Sequence, residues 1–438
     1  MTSFSDHYPL RDRNTFGLAA TARHWAEFRT TVQLREILLT CRERQLPWYV
    51  LSGGSNTILT GDFPGVVIHP AATGIGLPEP TLVRAEAAVV WDDLVAWTVE
   101  RGLGGLENLS HIPGLVGAAP VQNIGAYGAE AKDTIETVEY FDTERLETVR
   151  ISGSECAFGY RDSVFKGILR GRAVVTAVEF RLTPEGPDYS YHMDYGDLND
   201  RVRALGGPSV ANIRRAVIAI RREKLPDPAV TGNAGSFFKN PVIPAEEAER
   251  LRAIYPDLPG YRSADGKTVK VPAGWLIDRA GWKGFRERTV GVHPRQALVL
   301  INLGGATAQE VLHLARRIIE DVERKFGIRL TMEVNVASCK SSRGETPICS
   351  ASNVEKEFGS WVKTARKTPI ASHLPALRPH HSDHRPAKRS QVVIADHIRG
   401  HHVNQPPERP HPNPRFDERP LDRGHLDRPL HLDHADRP

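Results

Sequence analysis

The chain has 438 residues, of which 40% are hydrophobic and 25% charged. This composition is typical of a globular protein that is long enough to bury a sizeable core. No apolar run approaches the roughly 20 residues that span a bilayer, and the first residues lack the apolar region of a signal peptide. Only four cysteines are present, too few for a disulfide scaffold. We therefore expect a cytoplasmic protein that has no membrane partner.

The positive charge of the chain lies near its C-terminal end. After residue 338 there are 17 Lys and Arg against 12 Asp and Glu, whereas the preceding residues carry 40 against 41. The part of the chain with a periodic apolar pattern is thus nearly neutral, which disfavours a nucleic-acid partner. Beyond residue 338 that pattern is lost, and eleven of the 18 histidines lie there. We expect residues 339–438 to form a disordered or non-native tail; a role in binding metal is an alternative, although no repeated ligand spacing supports it.

Up to residue 338, short β-like runs alternate with amphipathic stretches. The apolar spacing predicts, in chain order, helix 32–44, strands 48–51 and 57–59, helix 91–101, a hairpin of strands 137–142 and 147–152, strand 173–182, helices 212–223 and 245–255, and strand 297–302. Thr307 and Glu310 form a capping box that begins a last helix, and Gly327 ends it. This mixture of elements predicts an α+β protein.

The first candidate site follows the strand at 48–51, where residues 51–56 read Leu-Ser-Gly-Gly-Ser-Asn. Two adjacent glycines let the backbone turn tightly, so that successive N–H groups point into a concavity that suits a phosphate. Alone, this pattern is more typical of a plain β-turn than of a phosphate site.

A second candidate site is the long stretch from 104 to 128, which has one acid, one histidine and no lysine or arginine. Its many small residues allow the backbone to approach a flat, bulky ligand closely. A buried loop without a ligand is the alternative, but it would leave many backbone polar groups to be satisfied. We therefore interpret this stretch as a ligand-contacting segment.

A third candidate site surrounds Ser236, which lies between Gly235 and two phenylalanines. In such a restricted, partly apolar setting a hydroxyl can donate a proton without competition from bulk water. The flanking residues do not form the G-x-S-x-G elbow of a hydrolase nucleophile. Neither a P-loop nor a strand-linked G-x-G-x-x-G occurs in the sequence, which argues against those nucleotide sites.

These stretches resemble one family over roughly residues 14–336. Matching motifs occur in the family's order at residues 14–17, 53–56, 112–128, 160–163, 232–241 and 273–278. The family is that of UDP-N-acetylenolpyruvoylglucosamine reductase, the MurB flavoenzymes of peptidoglycan synthesis. The stretch around Tyr195 is similar to the tyrosine loop of the type I form.

The resemblance implies an α+β fold with two functional parts. One is a two-part FAD-binding domain of the vanillyl-alcohol-oxidase (PCMH) type, and the other is a smaller α+β substrate-binding domain. The expected domains are 1–70 and 71–224 for the FAD-binding subdomains, the second completed by 328–338, then 225–327 for the substrate-binding domain, then the tail.

The resemblance also implies a monomeric oxidoreductase with FAD and NADPH as cofactors. It would reduce UDP-N-acetylglucosamine enolpyruvate to UDP-N-acetylmuramate, with no nucleic-acid partner and no metal. By motif match, the cofactor-binding residues are Gly53, Gly54, Ser55, Asn56, Ile112, Pro113, Gly114, Gly117, Ala118, Gln122, Asn123, Gly125, Ala126, Tyr127 and Arg221.

Three residues match the catalytic positions of the family. Arg161 and Glu333 match the pair that stabilises an enolate-like intermediate, and Ser236 matches the residue that protonates the α-carbon. Glu333 can help only if it is protonated or shares a proton, because a bare carboxylate would repel the intermediate. The substrate-binding matches are Tyr195, Lys224, Asn240 and Gln296.

The chain departs from the family pattern just after Glu333. The family commonly has an arginine there, whereas this chain continues with Asn335 and Val336. We therefore expect the last strand to be altered or shortened. Two alternatives are another flavin oxidoreductase of the same fold and an inactive homologue with a histidine-rich binding tail.

Overall fold

A mixed four-stranded sheet with one helix forms the first part of the fold. The computed structural model describes residues 3–338 and 350–352. The elements of this part are β1 (Ser5–Pro9), β2 (Thr21–Phe28), α1 (Thr31–Glu43), β3 (Trp48–Val50), β4 (Thr57–Leu59) and β5 (Phe63–Pro70). The strand order is β1-β2-β5-β3, in which β5 runs parallel to both neighbours. A capping box between Thr30 and Gln33 begins α1, which buries Leu34 and Ile37 against the sheet.

A five-stranded antiparallel sheet forms the second part. Its order is β12-β11-β13-β7-β6, and Val138, Val178 and Phe180 pack with Trp91 in its core. The elements are β6 (Ile75–Glu79), β7 (Leu82–Glu86), α2 (Trp91–Val99), β8 (Leu103–Gly104), β9 (Gly125–Ala126), β10 (Ala129–Glu130), β11 (Ile135–Asp142), β12 (Glu147–Ser152), β13 (Ala173–Arg181), β14 (Thr183–Pro184), α3 (Leu198–Ala204) and α4 (Val210–Lys224). The expected hairpin is confirmed as β11 and β12.

Two small antiparallel sheets and a long helix form the third part. The elements are β15 (Val242–Pro244), α5 (Ala245–Ile254), β16 (Tyr261–Arg262), β17 (Thr268–Lys270), α6 (Ala273–Arg279), β18 (Arg286–Glu287), β19 (Val290–Val292), β20 (Leu300–Asn302) and α7 (Ala308–Phe326). The expected capping box at Thr307 begins α7, and Gly327 ends it in the left-handed conformation with φ 72°. Among the residues described, none of the helices combines the length and apolar character needed to cross a membrane.

One expected strand is shorter in the structure than in the sequence prediction. The apolar run 297–302 contributes only its last three residues to β20. The reason is a turn just before the strand, where the Val299 amide donates to the Gln296 carbonyl at 3.1 Å. Val299 is still buried, so the apolar pattern reports burial there rather than strand pairing.

The end of the described chain returns to the first part of the fold. Strand β21 (Asn335–Ser338) pairs in parallel with β4, and β22 (Ser350–Ser352) pairs antiparallel with β21. Residues 350–352 lie in the stretch expected to be mostly disordered or non-native, and within it the edge of β21 gives their backbone a pairing partner. The rest of the tail prediction, including metal binding, lies outside the described residues.

Candidate active site

The glycine turn, residues 53–56, lies between β3 and β4 and leaves no room for side chains at its glycines. A Cβ added to Gly54 would lie 2.1 Å from the Arg13 carbonyl oxygen, and the φ of Gly54 is +59°. A Cβ added to Gly53 would lie 3.0 Å from the Cα of Gly114. The backbone of the turn is therefore packed directly against two other parts of the chain, as the sequence predicts for a close-approach turn.

The glycine turn also contacts the small-residue segment, which we define as residues 112–128. The Ser55 hydroxyl donates to the Pro113 carbonyl at 3.1 Å, and the Asn56 amide donates to the Gln122 side-chain oxygen at 2.7 Å. Two stretches that are far apart in sequence thus form one wall, as expected if both bind the same ligand.

Ser52, directly before the glycine turn, provides a test of whether a cofactor fits this wall. Its hydroxyl oxygen is buried and has no hydrogen-bond partner within residues 3–338. A buried unpaired hydroxyl costs free energy, and a polar ligand atom would remove that cost. With the packed glycines beside it, the donor set fits a phosphate-bearing cofactor such as FAD. Ser52 lies in the first candidate stretch but was not among the predicted cofactor-binding residues, although its position before two glycines is a usable signal.

The small-residue segment has an irregular backbone that its own side chains stabilise. Asn123 has φ +44° and Tyr127 has φ +49°. The Asn123 amide donates to Glu130 at 2.9 Å and to the Gly159 carbonyl at 3.0 Å, and its oxygen accepts from the Lys132 amide at 3.0 Å. The side chain of Asn123 is thus fully used within the protein, so any contact with a cofactor would be through its backbone.

Arg221 extends from α4 to the start of the same region. Its Nε donates to the His111 carbonyl at 3.1 Å. Burial lowers the pKa of Arg221, and the neighbouring Tyr127 and Asp92 oppose that change. The structure therefore places this cation beside the small-residue segment, where the sequence analysis expected it.

Arg161 and Glu333, the first two expected catalytic residues, are in contact. The Arg161 Nε lies 2.9 Å from the Glu333 Oε1, and the two side chains are 18% and 10% exposed. The Arg161 guanidinium also donates to the carbonyls of Asn123 at 3.2 Å and Gly125 at 2.7 Å. Arg161 therefore links the small-residue segment to Glu333.

Glu333 is held in a nearly buried position by backbone pairing on both sides. Its amide donates to the Phe237 carbonyl at 2.8 Å, and the Asn335 amide donates to the Asn56 carbonyl at 3.0 Å. Burial raises the pKa of Glu333, while the nearby cations Arg161, Lys166 and Lys239 lower it. The departure from the family pattern after Glu333 has not loosened this position.

Ser236, the third expected catalytic residue, lies on a strand-like stretch that pairs with the residues just before Glu333. Phe238 forms a β-bridge with Met332, so Ser236 and Glu333 belong to adjoining backbone segments. Ser236 is half-buried, and within residues 3–338 its hydroxyl has no hydrogen-bond partner. The hydroxyl is therefore free to interact with a ligand.

A cleft of about 300 Å³ lies in the third part of the fold. Three of the four expected substrate-binding residues line it, namely Tyr195, Asn240 and Gln296. The side-chain oxygen of Asn240 accepts from the Ala273 amide at 2.9 Å, at the start of α6. The fourth residue, Lys224, is not among the lining residues and pairs with Asp197 at 3.4 Å.

Several residues that line this cleft were not among the site residues predicted from the sequence. Lys283 and Arg295 line it and bring positive charge, and Tyr261 lies beside Tyr195. Just outside, the Lys270 ammonium lies 4.9 Å from the centre of the Tyr160 ring. These residues stand singly in the sequence, so only their convergence in the fold indicates a site for an anion.

Comparison with known protein families defines the class of protein. Residues 22–151 match the family model described as FAD binding domain. Residues 227–337 match the model described as UDP-N-acetylenolpyruvoylglucosamine reductase, C-terminal domain. The first match covers the glycine turn and the small-residue segment. The second covers Ser236, Glu333 and all of the cleft lining except Tyr195. The protein is a flavin-dependent oxidoreductase.

Individual relatives define the family. The chain is 49% identical over 337 residues to UDP-N-acetylenolpyruvoylglucosamine reductase from Pseudomonas aeruginosa, covering 76% of this chain and 98% of that protein. It is 48% identical over 331 residues to the protein of the same name from Chromobacterium violaceum, covering 74% and 96%. The chain belongs to the UDP-N-acetylenolpyruvoylglucosamine reductase family.

A solved structure supports the same assignment. The structure of UDP-N-acetylenolpyruvylglucosamine reductase (MurB) from Thermus caldophilus is 25% identical, has a TM-score of 0.55, and is matched over 77% of this chain and 99% of that one. The family resemblance and the α+β fold expected from the sequence are therefore confirmed.

Proposed function

We propose that the protein reduces UDP-N-acetylglucosamine enolpyruvate to UDP-N-acetylmuramate with NADPH, a step of peptidoglycan precursor synthesis. The observation that carries this proposal is the nearly buried contact of Arg161 with Glu333. The glycine turn and the small-residue segment together form what we call the FAD-binding wall. The contact lies where this wall adjoins the backbone stretch of Ser236. Reduction of an activated double bond needs a bound cofactor that supplies hydride, charged groups that polarise the acceptor, and a proton donor. The FAD-binding wall would hold the cofactor, Arg161 and Glu333 would form the polarising pair, and the Ser236 hydroxyl would donate the proton.

We infer that FAD binds along the glycine turn and the small-residue segment. When bound, it would supply the hydride chemistry between NADPH and the enolpyruvyl double bond. The backbone amides of residues 53–56 and the Ser52 hydroxyl would bind phosphate oxygens, and the remaining motif residues 112–128 would contact the ring system. Arg221 would add positive charge at the start of that segment.

The polarising pair would stabilise charge on the substrate. Reduction at the β-carbon drives negative charge onto the substrate carboxylate, which fixed donors stabilise without reorganisation. Arg161 supplies a cation whose position is set by two carbonyl contacts. In the resting protein Arg161 balances the buried carboxylate of Glu333, and burial, which raises the pKa of Glu333, would favour sharing of a proton with the substrate carboxylate as negative charge develops there.

Ser236 would complete the reaction by protonating the α-carbon. A serine hydroxyl is a very weak acid, so it serves only against a strongly basic carbanion, which this intermediate is. The absence of a protein partner for the hydroxyl within the described chain leaves its proton available.

The cleft would bind the nucleotide part of the substrate. Lys283 and Arg295 on its lining suit a diphosphate, and Asn240 and Gln296 add polar contacts. Tyr195, which is 45% exposed at the edge of the cleft, would cover the bound substrate, and Lys224 would contribute charge nearby. We also propose that the protein is monomeric and, because its cysteines are sparse, cytoplasmic.

An anaerobic titration tests the proposal in two steps. The flavin absorbance of the purified holoprotein is first bleached with NADPH, and UDP-N-acetylglucosamine enolpyruvate is then added. We expect the flavin band to return in proportion to the substrate added. Reoxidation by oxygen or an artificial acceptor but not by this substrate would contradict the proposed function and favour another flavin oxidoreductase.

A further inference from the structure

Two buried residues just before the small-residue segment hold the tyrosine loop, which we define as residues 189–195. Glu107 and Asn108 are 1% and 2% exposed. The Tyr189 hydroxyl donates to the Glu107 Oε1 at 2.5 Å, and the Asn108 amide donates to the His192 carbonyl at 2.8 Å. The loop that carries Tyr195 is therefore fastened to the body of the protein at two points.

Asn108 makes a second contact that Glu107 does not. The same amide nitrogen donates to the Tyr127 carbonyl at 2.8 Å. Tyr127 belongs to the small-residue segment, and its ring meets the Tyr195 ring edge-on, with 5.6 Å between centroids. The side chain of Asn108 thus joins the FAD-binding wall to the tyrosine loop, and the two tyrosine rings meet at the same junction.

The chemistry of this junction requires a side chain with two donors. Both acceptors are backbone carbonyls, and an amide NH2 group satisfies both from one buried atom. A side chain without these donors leaves two carbonyls without their partner in a site from which water is largely excluded. Neither Asn108 nor Glu107 has a role in the proposed chemistry.

We propose that Asn108 is a positioning residue that couples cofactor binding to the tyrosine loop. FAD that orders the backbone at Tyr127 would, through Asn108 and the Tyr127–Tyr195 ring contact, also order the loop over the cleft. The proposal rests on the proposed function in one respect, namely that Tyr195 covers the substrate. Its central claim, that FAD orders the loop, does not depend on turnover.

Limited proteolysis with and without FAD tests the coupling. Chymotrypsin cleaves after tyrosine, so the rate of cutting at residues 189–195 reports how often the loop opens. We expect FAD added to the apoprotein to slow this cleavage about tenfold, equivalent to about 1.4 kcal/mol. In Asn108→Ala we expect FAD to bind but to slow the cleavage less than twofold.

Two variants separate coupling from simple loss of stability. Asn212→Ala is the matched control, because the Asn212 amide also donates to two carbonyls, Leu205 at 3.2 Å and Gly207 at 2.9 Å, neither of which belongs to the tyrosine loop or to the small-residue segment. It should keep the full FAD effect, because its two acceptors do not join the small-residue segment to the tyrosine loop by hydrogen bonds. Tyr189→Phe removes only the hydrogen bond to Glu107, so its loop should be cut faster while FAD still protects it about tenfold.

Kinetics give an independent readout. Asn108→Ala should raise the KM for the enolpyruvyl sugar about tenfold and change kcat by less than threefold, because the loop is displaced but the catalytic residues are not. The proposal is overturned if FAD does not protect the wild-type loop, or if it protects Asn108→Ala as well as Asn212→Ala. If the wild-type protein fails to reduce the sugar, the proposed function falls, while the proteolysis still decides the coupling.

Discussion

The FAD-binding wall and the substrate cleft are built in different ways. The wall consists of backbone and very small residues, and its polar side chains, such as Asn123 and Asn56, bind other parts of the protein. The cleft is lined by long polar, charged and aromatic side chains, several of which, such as Tyr195, are substantially exposed.

Because of this difference, mutations in the FAD-binding wall and in the cleft should have different consequences. In the wall, an added methyl group collides with backbone that cannot move, so the damage falls on folding and cofactor binding. In the cleft, removal of a side chain leaves the scaffold intact, so the damage falls on substrate affinity. Arg161 and Glu333 lie at the boundary and should affect turnover itself.

The largest expected effect is at this boundary. Arg161→Met should lower kcat about a thousandfold, because one preorganised donor to a developing anion contributes about that much. It should also destabilise the protein by about 3–5 kcal/mol, since Glu333 is left buried without its cation. Steady-state kinetics and urea unfolding measure the two effects.

A double variant separates these two roles of Arg161. Adding Glu333→Gln removes the uncompensated charge, so Arg161→Met/Glu333→Gln should regain most of the lost stability while remaining inactive. If stability and turnover return together, Arg161 contributes to folding but not to the reaction.

The next effect concerns cofactor retention by the wall. Gly54→Ala should weaken FAD binding at least about tenfold, because its Cβ would overlap the Arg13 carbonyl and its φ is positive. Gly61→Ala is the matched control in the same region, since nothing lies within 4 Å of its added Cβ. Flavin fluorescence on titration measures both. Equal FAD affinities in the two variants would contradict a backbone-built wall.

A smaller effect is expected on stability, and it compares a buried ion pair in the second part of the fold with an exposed ion pair in the third part. Hydrogen bonds from Arg172 lower the pKa of Asp142 from 3.8 to about 2, and this carboxylate is only 1% exposed. Asp142→Asn should therefore lose about 2 kcal/mol of stability at neutral pH. Asp257→Asn, whose carboxylate is 54% exposed in its pair with Arg279, should lose much less stability, because solvent screens exposed ion pairs.

The pH dependence of this loss follows from the depressed pKa. The stabilisation by Asp142 is complete above its unfolded pKa near 3.8 and disappears as the pH falls through about 2. The stability gap between wild type and Asp142→Asn should therefore close over that window in urea unfolding series. A gap that stays constant down to pH 2 would show that the pair does not act through charge.

The smallest effect is expected in the cleft. Gln296→Ala should raise the KM for the enolpyruvyl sugar about three- to tenfold, the loss of roughly one hydrogen bond, without changing FAD affinity. Gln309→Ala, at an exposed contact with the Thr60 carbonyl, is the control and should change neither. A loss of FAD affinity in Gln296→Ala would contradict the claim that the cleft and the FAD-binding wall act separately.

The elements that local physics determines were predictable from the sequence. The capping box at Thr307 and the left-handed cap at Gly327 are local signals, and both are confirmed with the helix between them. The strand at 350–352 was not predictable, because its pairing depends on the free edge of β21 rather than on its own residues.

The site residues that belong to a sequence motif were predictable, whereas those that only the fold brings together were not. The motifs indicated Arg161, Ser236 and Glu333 together, and the structure brings these stretches side by side. Asn108 carries no distinctive pattern, and its role depends on partners distant in the chain. Ser52 belongs to the glycine-rich stretch, but its unpaired hydroxyl could be seen only in the fold. Lys224 matches the motif, yet its pairing with Asp197 could be seen only in the fold.

The most direct test of the account separates the two half-reactions in Ser236→Ala. Stopped-flow absorbance under anaerobic conditions follows flavin reduction by NADPH and then reoxidation by UDP-N-acetylglucosamine enolpyruvate. If Ser236 is the proton donor, reduction by NADPH should proceed at the wild-type rate, whereas substrate turnover should fall by about 10²–10⁴. Wild-type turnover in Ser236→Ala, or an equal loss in both half-reactions, would contradict the assignment of the catalytic centre.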